Sequence, residues 1–277
     1  MKVLKTSEYY KADGQLRTLP INTLFARSIL NHHVSGSVYV NDRVSPSTFY
    51  ISHPYGMSLL FGETNNIQFN NALFNYLVNR DKKRAKGEWL QVFPAKWNQR
   101  IEEILGPYLI KNKPHIINDE SKVIEYTRVN FTFNVSKYNE FRKNRIMPPN
   151  YTVNTIKDYI YEHMQGSVIP RCFWDNAEDF NNRGIAYCLI HQGEMVSTSF
   201  SSFLVDRYLE IGIETLEKHR GKGLALYVCS LLIDYCIKYG FEPVWACRSD
   251  NDGSFRLAQS LGFEPSISVP YYKLVDS

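Results

Sequence analysis

The sequence predicts a mixed α+β protein in two domains, and three observations carry that expectation. The chain has 277 residues, long for one domain of ordinary size and suited to two. Hydrophobic residues make up 44% and charged residues 22%, enough to fill a core and still solvate a surface. Short β-branched or aromatic runs alternate with stretches of helical spacing, the pattern of sheets flanked by helices.

Taken in order, residues 37–41, 47–53 and 57–62 are strand-like runs separated by Asp42, Pro46 and the Pro54-Tyr55-Gly56 turn, which reads as an antiparallel meander. Phe69, Leu73, Tyr76 and Leu77 recur at helical spacing within 67–80. Residues 89–93 predict a buried strand, 95–105 a helix, and 123–135 a strand alternating through Val129, Phe131, Phe133 and Val135. The domain boundary is placed at Met147-Pro148-Pro149-Asn150, because paired prolines follow the charged stretch from Lys137 to Arg145 and cannot continue a helix. That gives domains 1–147 and 148–277. The second is expected to hold a helix from Val153 to Met164 and strands at 184–191, 194–205 and 208–216. A helix at 222–238, a strand at 243–248, a helix at 252–261 and a last strand near 269–275 follow.

Several function classes are set aside. The net charge is +4 with dispersed Lys and Arg, and the run Arg80, Lys82, Lys83, Arg84 and Lys86 reads as a solvated helix end or loop. No nucleic-acid partner is expected. The five cysteines form no CxxC pair, and His32-His33 has no partner at ligand spacing, so neither disulfides nor a metal are expected. The N-terminus lacks a signal-peptide core and no window has the apolar length of a membrane span. A cytoplasmic protein without a membrane partner is expected.

Residues 208–263 carry the chemistry. An alternating strand, Tyr208 to Leu216, leads into His219-Arg220-Gly221-Lys222-Gly223-Leu224-Ala225 and then an apolar stripe of Leu224, Val228, Leu231, Leu232, Tyr235 and Cys236. A glycine turn between a strand and a helix start suits phosphate, since backbone approaches closely and unpaired N–H groups point at the anion. The patterns GxxxxGK[ST] and GxGxxG are both absent. Arg220, Gly223 and Ala225 match R-x-x-G-x-G/A, and Asn251, Ser254, Leu257, Ala258, Leu261, Gly262 and Phe263 match N-x-x-[AS]-x-x-L-[YA]-x-x-L-G-F, with one helix and one strand between them.

On these two motifs the chain resembles the GNAT superfamily of acetyltransferases. Trp174 with Glu178-Asp179-Phe180, the stretch Glu210 to Leu216 and the early Gly36 to Asn41 are similar to its two-domain, zwittermicin-resistance-type subgroup. The resemblance implies a mostly antiparallel mixed sheet flanked by helices in 148–277. The opening meander is also similar to part of such a domain. No R-x-x-G-x-G follows it at 62–70, which implies a degenerate copy that has lost its loop.

Acetyl transfer from acetyl-CoA to a primary amine of a small molecule, by direct attack in a ternary complex, is the implied reaction. Ile213 and Thr215 are implied beside pantetheine, with a main-chain N–H near Thr215 polarising the thioester. The backbone of Arg220, Gly221, Lys222, Gly223, Leu224 and Ala225 is implied around the diphosphate, with Asn251 and Ser254 at the pantetheine arm. An alkyl ammonium of pKa about 10.4 costs roughly 4–5 kcal/mol to present as free amine at neutral pH, so a base or water path is required. Glu214 and Glu210 share one strand face; Glu214 is the first choice of base and Glu210 the second, against the plain reading of solvated or ion-paired carboxylates. The thiolate acid, often a Tyr where this chain has Ala258, has only Ser254, Tyr271, Tyr272 or water as stand-ins. His219 reads first as a solvated turn residue, and Cys247, Trp174 and Trp245 as packing residues. Acceptor specificity is expected from loops, residues 165–182 among them. Another acyl-CoA donor, a CoA-binding sensor without catalysis, and a homodimer remain open.

Overall fold

The computed structural model describes residues 1–82, 84, 86–111, 119 and 121–275; Lys83 of the basic run lies outside them. The chain forms two compact units. The first holds Met1–Val129, Arg248–Asp250 and Ile267–Ser277, and the second holds Asn130–Cys247 and Asn251–Ser266. The sequence reading cuts once, after 147; this division falls at 129/130 and returns two later segments to the first unit.

In the first unit β1 (Lys2–Val3), β2 (Ser37–Val40), β3 (Thr48–His53) and β4 (Met57–Gly62) form the meander, and β5 (Glu88–Phe93) joins β4 in parallel with Met57 opposite Trp89. Next come β6 (Leu109–Ile110) and β7 (Val123–Phe133), and the order β1-β2-β3-β4-β5-β14-β7 is completed by β14 (Phe263–Leu274). Four helices belong here: α1 (Tyr10–Leu16), α2 (Leu24–Leu30), α3 (Ile67–Leu77) and α4 (Lys96–Leu105). Sequence reading did not find α1 or α2. In α2 every residue except Arg27 is buried, so it carries no one-sided stripe to betray its period.

The core between the sheet and α3–α4 contains Tyr50, Leu60, Phe69, Leu73, Leu90, Trp97, Ile101 and Tyr272. Trp97 is fully buried and donates from Nε1 to the Gly62 carbonyl at 3.0 Å. Trp97→Ala is expected to lose about 3–5 kcal/mol of stability through the cavity and the orphaned carbonyl, measurable by denaturant unfolding; a loss under about 1 kcal/mol contradicts this packing.

The second unit begins with α5 (Val135–Lys143), then β8 (Thr152–Asn154), α6 (Lys157–His163), α7 (Ala177–Arg183), β9 (Ala186–His191), β10 (Glu194–Val205), β11 (Tyr208–Thr215), α8 (Leu224–Tyr239), β12 (Glu242–Val244), β13 (Ala246–Arg248) and α9 (Asp252–Ser260). Its sheet runs β12-β11-β10-β9-β8, antiparallel except for the parallel β11–β12 pair. Strands β7, β13 and β14 carry residues of both units.

Five local expectations need correction. The stretch read as a charged lead-in to the boundary is α5, capped by the Asn134 side chain; it buries only Tyr138, too little to mark a face. The helix placed at 153–164 starts at Lys157, because Thr152–Asn154 pairs with β9. The strand placed at 243–248 is broken at Trp245, and the last strand starts at Phe263 rather than 269. On α8 the buried residues include Cys229 and Ile233, whereas Leu231 and Tyr235 are half-buried.

A topological echo links the units. In the first, β4, α3 and the parallel β5 follow one another; in the second, β11, α8 and the parallel β12 do. In the first unit a hollow of about 520 Å³ opens where β4 and β5 end, lined by Gly62, Thr64, Lys96 and Arg100 among others. The corresponding place in the second unit holds the loop 217–223.

Candidate active site

Strand β11 supplies the platform. It is paired on one side with β10 along its length, from Tyr208 opposite Val205 to Thr215 opposite Ser197. On the other side β12 accompanies it only as far as Glu210, opposite Val244. The chain then turns away at Trp245, whose carbonyl accepts the Phe131 N–H at 3.2 Å. From Ile211 onward, among the described residues, one edge of β11 therefore has no strand beside it. Leu216 donates its N–H to Val196 on β10, so the two-residue alternation turns the Ile213 and Thr215 main-chain groups toward the open edge. The sequence reading placed these two residues alongside the pantetheine.

The loop after β11 is built for close approach. Gly221 and Gly223 have φ of 76° and 74°, a region that L side chains rarely adopt. A Cβ at either would project into open space. Gly223 occupies the N-cap position of α8 and supplies no side-chain cap, whereas Asn66, Asn134, Asn176 and Asn251 cap α3, α5, α7 and α9. The first N–H groups of α8 are thus left for an anion. Lys222 is exposed beside them, Ala225 is half-buried, and Leu224 packs with Leu189, Val196 and Val228 to seat the helix.

The two glutamates differ in their surroundings. On Glu214, Oε2 accepts from the Ser167 N–H at 3.0 Å, the Ser167 hydroxyl at 3.1 Å and the Val168 N–H at 3.2 Å. Its Oε1 meets Arg220 Nη2 at 3.4 Å, and Arg220 Nε donates to the Thr215 carbonyl at 3.1 Å. Glu210 is buried, 6% exposed, at the last residue that β12 accompanies. Ser202 donates to its main-chain carbonyl at 3.1 Å. Between them Gly212 lies against the Phe200 ring, where a Cβ would come within 2.6 Å. Phe200 in turn packs on Phe173 and Phe180.

His219 is 8% exposed rather than a solvated turn residue. Its ring meets Tyr151 and His191 edge-on at 6.4 and 5.7 Å, with Glu194 at 3.8 Å. Burial, then the charges of Lys222 and Lys218, lowers its pKa from the usual value; Glu194 opposes and His191 adds to the lowering. The unfolded chain takes this proton near about pH 6.5 and the folded protein only at lower pH, so acidification through that interval costs stability. His219→Phe keeps a ring in place, and its melting temperature is expected to fall less than that of the wild type between about pH 7.5 and about pH 5.5. Equal falls would exclude His219 from the acid sensitivity.

Asn251 accepts the Ser254 N–H at 3.1 Å, and Ser254 Oγ accepts from Trp245 Nε1 at 3.1 Å. The second motif thus caps α9 and ties it to the turn at Trp245. Ala258 is fully buried in α9. Tyr271 stacks on Trp89 and Tyr272 lies in the first unit's core, so both pack there. Trp174 is buried and donates to the Ser201 carbonyl at 2.8 Å. Cys247 is buried as well. Among the described residues no group of three or more His, Cys, Asp and Glu could hold a metal, and no helix is long and apolar enough to cross a membrane.

A strand freed along one edge, a positive-φ glycine loop and a bare helix N-terminus together form a backbone-lined site suited to an anionic group. The family model for GNAT acetyltransferase matches residues 17–272, and the chain belongs to that family. It is 26% identical over 250 residues to the uncharacterized N-acetyltransferase YdfB of Bacillus subtilis (strain 168), covering 90% of this chain and 89% of that one. The fold is similar to the GCN5-related N-acetyltransferase-like protein of Streptococcus suis 89/1591, with TM-score 0.71, 20% identity and coverage of 97% and 99%. It is also similar to a tandem GNAT protein from the clavulanic acid biosynthesis pathway, with TM-score 0.63, 10% identity and coverage of 98% and 97%.

Proposed function

We propose that the protein transfers an acetyl group from acetyl-CoA to a primary amine of a small molecule within a ternary complex, using the second unit, and that the first unit is a degenerate copy of the same fold. The observation that carries this reading is the pair of positive-φ glycines, 221 and 223, facing open space ahead of an uncapped helix. Backbone N–H groups from Gly221 to Ala225 would hold the diphosphate. The exposed edge of β11 at Ile213 and Thr215 would lie along the pantetheine. Bound acetyl-CoA supplies the activated acyl group.

The chain's own task is the proton. A primary ammonium must lose one before it can attack, and Glu210 is the residue of β11 after which its open edge begins. We assign it the role of base, acting on the acceptor nitrogen directly or through one water. Glu214 is a poorer choice than sequence suggests, because its oxygens are already engaged by Ser167, Val168 and Arg220.

The test is to supply acetyl-CoA with a panel of amino-acid-derived and aminoglycoside-like primary amines and to follow free thiol while measuring CoA affinity by calorimetry. Tight CoA binding with amine-dependent thiol release is expected. Absence of CoA binding would sink the site, and binding without release from any amine would leave a sensor instead.

A further inference from the structure

Segment 165–168 joins α6 to the 3-10 turn at Pro170–Cys172, and one side chain from β11 holds it. Three donors of the segment converge on Glu214 Oε2, while the other oxygen faces Arg220, the first residue of the diphosphate-loop motif. The Glu214 side chain is 13% exposed whereas Arg220 is 62% exposed and Ser167 is exposed, so the carboxylate is the sheltered member that both partners reach from the surface. The segment is shaped to receive it. Gly166 has φ of 129°, and a Cβ there would stand 2.5 Å from Glu214 Cγ. Only glycine lets the backbone lie this close.

We infer that Glu214 is a positioning residue that couples the diphosphate loop to segment 165–168, so that filling the loop orders the segment. The inference rests on the CoA reading of the loop. The physical route is short. Gly221 and Gly223 give the loop backbone a wide choice of conformations, and an anion on its N–H groups would select one of them. Once those N–H groups are taken, Arg220 is held against the Thr215 carbonyl and Glu214, and Glu214 keeps its grip on the Ser167 and Val168 amides. Two sites are coupled when one biases an element that the other needs. Segment 165–168 lies in the region expected to select the acceptor.

Hydrogen exchange of the whole chain with and without CoA tests this without an acceptor. In the wild type CoA is expected to slow exchange about threefold or more in peptides covering 219–226 and also 163–170. In Glu214→Ala and the more conservative Glu214→Gln, only 219–226 should respond. Gly166→Ala, which displaces the carboxylate from the opposite side, should uncouple the peptides although the glutamate itself is retained. Slowing confined to 219–226 in the wild type overturns the coupling and leaves the CoA site intact. Slowing of both peptides in all variants overturns it equally. No slowing anywhere means that the loop does not bind CoA, and the functional reading fails with it.

Discussion

Gly223→Val is expected to leave a folded protein whose CoA affinity is at least about 100-fold weaker, a loss of about 2.7 kcal/mol or more. Two effects act together. Gly223 has φ of 74°, which a β-branched residue tolerates worst, so the loop must leave its present conformation or carry strain. The new side chain would also point into the open space ahead of α8, where the diphosphate reading needs backbone alone. Gly223→Ala separates the contributions, since it meets the strain with little added bulk; an intermediate loss of about 10-fold is expected. Nothing packs within 4 Å of this position, so the fold should survive, and circular dichroism with thermal melting checks that. Normal CoA affinity in folded Gly223→Val would remove the loop assignment.

The loop was legible because its information is local. Arg220 to Ala225 contains the glycines that need positive φ, and α8 begins at Leu224, directly after Gly223. The meander of β2–β4 and strands β9–β11 were equally local, with turns marked by Pro, Asp and Gly. What sequence missed depended on distance. Ser167 and Val168 lie 47 and 46 positions from Glu214, and no spacing rule joins them. Read on its strand alone, Glu214 is a carboxylate beside the glycine turn; with Gly166–Val168 in place it is a hydrogen-bond hub. His219 shows the same limit, since its burial depends on Tyr151 and His191 from other elements. The Pro148-Pro149 pair reads as a boundary because it breaks helices, yet it lies within the second unit. Segments 248–250 and 267–277 return to the first unit, which a single cut in the sequence cannot express.

Glu210→Gln is expected to lower kcat by about 100-fold or more while acetyl-CoA affinity stays within about twofold, because general-base catalysis of this kind contributes about 10²–10⁴. The substitution keeps shape and removes the proton acceptor, and Glu210 lies on β11 rather than in the glycine loop. Residual turnover should climb steeply with pH. Below its pKa of about 10.4 the free-amine fraction of a primary amine rises about tenfold per unit, so the variant should recover as the solvent takes over deprotonation. Glu214→Gln provides the contrast. If Glu214 positions rather than deprotonates, its loss should appear mainly in the acceptor KM, with kcat reduced about 10-fold or less and little gain from alkali. The reverse pattern, with kcat collapsing in Glu214→Gln and nearly unchanged in Glu210→Gln, would return the role of base to Glu214. That outcome would require its carboxylate to leave Ser167 and Val168 during turnover, and exchange at those two amides would then rise when acetyl-CoA and acceptor are both present.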